Sequence, residues 1–204
     1  DIDSESKLDI SLNPDFGQVE SDDVIINFSA NETFYPDKRP FFTENQSLFD
    51  ITGWDLRFIN TRRIGGAPDK CSDSNEAHLG QCDSSISDTS DINYALRYTK
   101  EGQINKYGFF IANEDDSLFS EGRDYFAFRY RANLSKNNGK VGYLVTSVDR
   151  PSIDRRATAN VMDFDFKPSF ASRLYGWAGE IDIKEKGIQK KGYGFKTNYT
   201  VRVN

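Results

Sequence analysis

Tyr125-Phe126-Ala127-Phe128-Arg129-Tyr130-Arg131, the turn-forming Asn137-Asn138-Gly139, and then Val141-Gly142-Tyr143-Leu144-Val145-Thr146-Ser147-Val148 decide the fold class. Both long runs are rich in β-branched and aromatic residues and are bounded by turn chemistry, the pattern of strands. In the first run Tyr and Phe fall at both parities, so it reads either as buried on both sides or as lying under a loop. Arg150-Pro151-Ser152 closes the second run, and Val161–Phe166 follows it up to Lys167-Pro168-Ser169. Beyond these come Glu180–Lys184 and Phe195–Val203, with Lys191-Gly192-Tyr193-Gly194 between them. Upstream, Leu8–Leu12, Val24–Ser29, Trp54–Ile59, Tyr94–Thr99 and Tyr107–Ala112 read the same way. No amphipathic helix of ten residues emerges. Short strands separated by turn signals lead us to expect an all-β, immunoglobulin-like antiparallel sandwich with long loops.

Composition fits one domain spanning residues 1–204, large enough to bury a core. Hydrophobic residues make up 37%, but aromatics reach 14%, with 16 Phe and 10 Tyr against one Met. Large aromatics bury much area each, so a modest count still fills a core. No run of 18 apolar residues exists, and on that ground membrane insertion is not expected. A net charge of -6 argues against nucleic-acid binding. The chain opens on Asp1-Ile2-Asp3 without Met or a basic-apolar leader, which reads as a mature exported protein.

Residues 60–92 form a long polar segment that holds the only two cysteines, Cys71 and Cys82. A disulfide between them would order this loop and imply an oxidising compartment. In the chain-entropy view so small a loop contributes on the order of 3 kcal/mol, a local clip and not the main support of the fold. The chain stops within what reads as a full strand, Thr200-Val201-Arg202-Val203-Asn204, as if one domain had been cut from a longer protein.

A resemblance then becomes specific. Cys71-x10-Cys82 precedes a Ser/Asp-rich stretch and the strand Ala95-Leu96-Arg97-Tyr98-Thr99-Lys100-Glu101. Later come Leu174-Tyr175-Gly176-Trp177-Ala178-Gly179, Glu180-Ile181-Asp182-Ile183-Lys184, a basic turn, and Thr197-Asn198-Tyr199-Thr200-Val201-Arg202-Val203-Asn204. This order and spacing resemble the amino-terminal adhesin domain of class 5, or alternate chaperone–usher, fimbrial tip adhesins, similar to those of the enteric colonisation factors. The resemblance implies a lectin-like adhesin at the fimbrial tip, exported through the periplasm and extracellular. A carboxy-terminal pilin domain, absent here, would join it to the periplasmic chaperone and the major fimbrial subunit by strand addition. The implied partner is a host cell-surface glycan, sialylated or otherwise acidic, carried on a glycolipid or glycoprotein.

The family's receptor site is a cluster of arginines, one before the first cysteine and a pair in the turn before the last strand. The positions here are Arg62 and Arg63, then Lys186, Lys190 and Lys191, with Tyr193 beside the turn as a sugar contact. Lysine keeps the charge but loses the bidentate fork that matches a carboxylate. Local positive charge on an acidic chain can attract an acidic ligand; the plainer reading is that each doublet, Arg155-Arg156 included, sits on a solvated loop. Trp54 reads as core; Trp177 lies in a Gly-flanked turn, with core packing again favoured.

Enzyme readings fare poorly. The single histidine, His78, lies between the cysteines, and no G-x-S-x-G elbow supplies a nucleophile. One His and a cysteine pair make a poor zinc site, so no metal and no cofactor is expected. Asp163 and Asp165 suit glycoside chemistry on paper. At i, i+2 on a strand they read instead as a solvated outer face, with Phe164 and Phe166 turned the other way. The expectation is therefore a non-enzymatic adhesin. The alternatives are a structural pilus subunit without receptor binding, and a polysaccharide-binding module or lyase.

Overall fold

The computed structural model describes residues 4–14, 37–44, 46–51, 58–70, 89–134 and 138–202. Cys71, Cys82, His78, Trp54 and the expected strand Val24–Ser29 lie outside them, and so does the expected disulfide. The described chain is all-β apart from short helical turns. Its strands are β1 (Ser6–Leu12), β2 (Ile92–Glu101), β3 (Asn105–Glu114), β4 (Asp124–Asn133), β5 (Gly139–Arg150), β6 (Arg155–Ser169), β7 (Ser172–Glu185) and β8 (Ile188–Val201). They form one eight-stranded antiparallel sheet in the order of the chain. A two-sheet sandwich is not what these strands build: each pairs with its neighbours in sequence, as a meander.

Tight turns explain the order. Between β7 and β8 only Lys186 and Gly187 intervene, at φ 49° and 78°. Positive φ at both positions is the two-residue hairpin geometry whose twist matches that of the strands. Asp154, also left-handed at φ 47°, ends the turn of 3-10 helix at Pro151–Ile153 that joins β5 to β6. The last four strands run 12, 15, 14 and 14 residues, longer than the sequence reading gave them. Trp177 correspondingly lies inside β7 and not in a turn, half-buried and edge-on to Phe58 with ring centroids 5.5 Å apart.

One face of the sheet is covered by the chain between β1 and β2. Helical turns α1 (Pro40–Thr43) and α2 (Gln46–Phe49) and the stretch 58–70 lie on it. Phe42, Leu48, Phe49 and Ile64 of this segment pack on Ile92, Ala95, Phe110, Ala112, Ala127 and Leu144 of the strands. Burying each large apolar side chain stabilises the fold by roughly 1.5–3 kcal/mol. Small residues opposite bulky ones let the segment approach closely. At Gly108 an added Cβ would stand 2.6 Å from the Tyr98 carbonyl oxygen and 3.0 Å from a Leu48 methyl.

Candidate functional site

Side chains alternate across a strand, and direct partners share a face, so the register sorts every residue onto one of two surfaces. On the covered, inner surface stand Arg97 of β2, Glu114 of β3, Arg129 and Arg131 of β4, and Asp163 and Asp165 of β6. On the outer surface stand Leu8, Ile10 and Leu12; Tyr94, Leu96 and Tyr98; Tyr107, Phe109 and Ile111; Phe126, Phe128 and Tyr130. It continues with Val141, Tyr143 and Val145; Met162, Phe164 and Phe166; Leu174 and Ala178; and Tyr193, Phe195, Tyr199 and Val201. No described segment covers this surface. Ile10 is 58% exposed, Met162 65% and Phe195 82%.

The covered surface holds ionisable groups beside its apolar core, and the open surface holds exposed apolar ones. Arg129 is fully buried, donating from Nη2 to Asp163 at 2.9 Å and from Nε to the Leu48 carbonyl at 3.1 Å. Gly142 leaves the room for this pair, since a Cβ there would stand 2.4 Å from Asp163 Oδ1. Glu114 accepts from Arg123, from the Tyr125 hydroxyl at 3.1 Å and from the Gly65 amide at 2.7 Å. Burial nonetheless pushes the Glu114 carboxyl up, and burial also raises the Tyr125 hydroxyl. Asp69 is clasped by Arg150 at 2.7 Å and lies 3.5 Å from Arg123. The expectation for Asp163 and Asp165 is thus corrected. They lie on the covered face, Asp165 held at 2.8 Å by Arg173, while Phe164 and Phe166 stack on the open one.

The outer apolar surface is a slanted band. Charged side chains on that face lie beyond it: Asp124, Asp149, Arg156, Glu180, Asp182, Lys184 and Lys191 at one end of β4–β8, and Lys100 at the other end of β2. Cross-strand partners connect Ile10 through Leu96, Ile111, Phe126, Ser147, Thr158 and Asp182 to Lys191. Ile10 is the centre of the band on β1, whereas on β8 the centre is Thr197, six residues beyond Lys191. Six residues are roughly 20 Å along a strand, and seven strand spacings are roughly 34 Å across the sheet. The band therefore crosses the strands' perpendicular at about 30°.

The basic residues singled out from sequence are placed as two groups. Arg62 and Arg63 lie in the turn of 3-10 helix at Thr61–Arg63 on the inner face, where the Arg63 carbonyl accepts from the Tyr125 hydroxyl of β4 at 3.4 Å. Lys186 is in the β7–β8 turn, Lys190 faces inward on β8, and Lys191 faces outward, 3.5 Å from Asp182. Tyr193 is an exposed outer-face residue at the edge of the band. From β4 to β8 is four strand spacings, roughly 19 Å along the sheet. Lys190 and Lys191 are divided by the sheet itself. Arg155 faces inward near Glu185 at 3.7 Å, and Arg156 outward against Asp149. Among the described residues no group of three or more His, Cys, Asp or Glu is placed to hold a metal ion. Sequence reasoning missed the inner arginines 97, 129 and 131; the signal was their parity, opposite to Tyr94 and Tyr98 of β2 and to Phe126, Phe128 and Tyr130 of β4.

Residues 2–96 match the profile of a family described as a domain of unknown function (DUF5916), a match that takes in β1, the inner segment and the first half of β2. No curated protein matches the chain, and no solved structure does.

Proposed function

We propose that this sheet is part of the wall of a transmembrane β-barrel of the outer-membrane type, with the outer band facing lipid and the charged surface facing the lumen. The observation that carries this reading is the band: eight strands present apolar or aromatic outward residues, with the ionisable ones beyond its limits. A bilayer-spanning strand needs about 9–11 residues at a tilt near 45°, alternating apolar outward and polar inward. Strands β2 to β4 have 10 residues each, and the slant of the band corresponds to a tilt of about 30°, a little below the usual range for barrels. Tyr193, Tyr199, Tyr107 and Tyr94 stand towards its borders, where rings with one wet end are favoured. Among the described residues no helix is long and apolar enough to cross a membrane, so the crossing would be made by strands.

The eight strands are an arc and not the whole wall. An eight-stranded barrel is filled by its own side chains, whereas this inner face also carries two helical turns and the stretch 58–70. The long outer edge of β8 would pair with a further strand, since unpaired backbone groups are too costly in hydrocarbon.

Attachment to an acidic glycan through Arg62, Arg63, Lys186, Lys190, Lys191 and Tyr193 rests on the family resemblance alone. A fimbrial adhesin bathed in water gives no account of the open apolar face. The deciding experiment is refolding into lipid vesicles of the protein together with the strands that complete its wall, read by heat-modifiable migration in SDS gels and by protease protection. Insertion with a protected strand core is expected. A monomer that is fully β-folded in plain buffer and ignores vesicles would refute the membrane reading.

A further inference from the structure

Strands β6, β7 and β8 change character along their length. At the apolar band they turn Met162, Ala178 and Phe195 outward; beyond it they turn Arg156, Asp182, Lys184 and Lys191 outward. The inward positions beyond the band are Ala157, Ala159, Ile181 and Ile183. Polar side chains outward and apolar ones inward is the pattern of a sheet in water. The surroundings of the outer face thus pass from apolar to aqueous along these three strands.

Three cations stand at the crossing. Arg156 and Lys184 are direct cross-strand partners, and Lys191 lies diagonal to Lys184, two residues from its partner Gln189. Direct partners have Cβ atoms about 5 Å apart and diagonal ones about 7–8 Å, and like charges so placed repel. Arg156 pairs with Asp149, and Lys191 lies 3.5 Å from Asp182; both are exposed pairs, which contribute little. Lys184 is exposed and makes no hydrogen bond or ion pair among the described residues. At about 3.3 Å per residue, and allowing for the slant of about 30°, Lys191, Arg156 and Lys184 stand roughly 17, 18 and 20 Å from the mid-line of the band. Hydrocarbon reaches about 15 Å from the centre of a bilayer, and the headgroup layer reaches about 20–22 Å. All three cations fall within that layer.

We infer that Arg156, Lys184 and Lys191 form a binding site for phosphate-bearing lipid headgroups at the border of the membrane. The inference rests on the membrane-barrel reading. A phosphate seated between Arg156 and Lys184 replaces their mutual repulsion with two charge-assisted contacts, the guanidinium donating as a fork and the ammonium as a point charge. The weak exposed pairs with Asp149 and Asp182 exchange for phosphate oxygens at little cost.

The test uses the protein together with the strands that complete its wall, inserted in phosphatidylcholine vesicles. These carry a trace of spin-labelled phosphatidic acid or of spin-labelled phosphatidylcholine, and spin resonance reports the affinity of each for the protein surface. A preference for phosphatidic acid is expected. Each cation near a lipid surface contributes roughly fivefold. Arg156→Gln/Lys184→Gln/Lys191→Gln should therefore erase most of the preference. Lys190→Gln, which removes a charge from the inner face of β8, should leave it, and inorganic phosphate in the buffer should not compete. Equal affinity for the two lipids, an unshifted triple variant, an equal loss in Lys190→Gln, or displacement by inorganic phosphate would each overturn the headgroup site. Heat-modifiable migration confirms insertion of every variant. A protein that lacks the heat-modifiable band in all vesicles overturns the barrel reading along with the site, and is thereby told apart from an inserted wall without lipid preference.

Discussion

Arg129 of β4 and Asp163 of β6 meet across β5 in the open space above Gly142, with the arginine completely shielded from solvent. Their partnership fixes which face of the sheet is the interior. Removing one member of a buried ion pair leaves the other charge without compensation.

Arg129→Met should therefore cost about 3–5 kcal/mol, and much of that loss should be restored when Asp163→Leu is added. Denaturant unfolding of the two single variants and the double variant closes the cycle. Strict additivity of the two losses would show that the pair is not coupled.

Gly142→Ala places a methyl group where Asp163 Oδ1 and the Arg129 guanidinium now stand, at 2.4 and 2.7 Å. A loss of about 1–3 kcal/mol is expected from the forced displacement. An unchanged unfolding midpoint would mean that the pair has slack.

Phe195 and Gln189 lie on the outer face of the same strand, one inside the apolar band and one beyond it. In vesicles Phe195→Arg should cost about 2–4 kcal/mol, falling with distance from the bilayer centre, while Gln189→Arg stays within about 0.5 kcal/mol. Equal effects at the two positions would contradict a lipid boundary between them.

Asp37 gives the pH dependence of the inner segment's anchor. Burial alone would raise its carboxyl, but the Arg39 guanidinium and backbone amide outweigh this and hold it below its ordinary 3.8. A depressed folded value means that its stabilising effect is complete above 3.8 and is lost as pH falls through the lower, folded value. Asp37→Asn should thus be less stable than the unaltered chain near neutrality, by on the order of 1–3 kcal/mol, with the gap closing only in stronger acid. A constant gap down to the most acidic conditions would remove Asp37 from the anchor.

The strands from β2 onward were legible because hydrophobic period and turn residues act locally: Arg150-Pro151-Ser152 falls where β5 turns into β6. The expected turns Lys167-Pro168-Ser169 and Lys191-Gly192-Tyr193-Gly194 lie instead within β6 and β8, and the β7–β8 hairpin bends at Lys186-Gly187. Which face is wet was not legible. Alternation at Asp163, Phe164, Asp165 and Phe166 establishes that carboxylates and rings point opposite ways, and the usual solvent then assigns the carboxylates outward. A sheet in lipid reverses that assignment without altering the pattern. The stretch 125–131 looked irregular for a related reason, since Tyr125 joins Arg129 and Arg131 on the inner face and breaks a simple count of aromatics. The absence of a long apolar run spoke only to helices, because a spanning strand needs no more than every second residue to be apolar. The glycan site could not be located, since the resemblance named residue types near two turns and gave no information on which strands would separate them.

The slant of the outer band also bears on how the strands find their alignment. A two-residue slip of β7 keeps every side chain on its proper face, so inward and outward preferences alone would not reject it. Such a slip would move Glu180 to the level of Met162 and Phe195, where Ala178 now stands. In water that error would be cheap. In hydrocarbon it strands a carboxylate at a cost of several kcal/mol. On the membrane-barrel reading, lipid would therefore act as a proofreader of strand register, rejecting alignments that the chain's own alternation cannot tell apart.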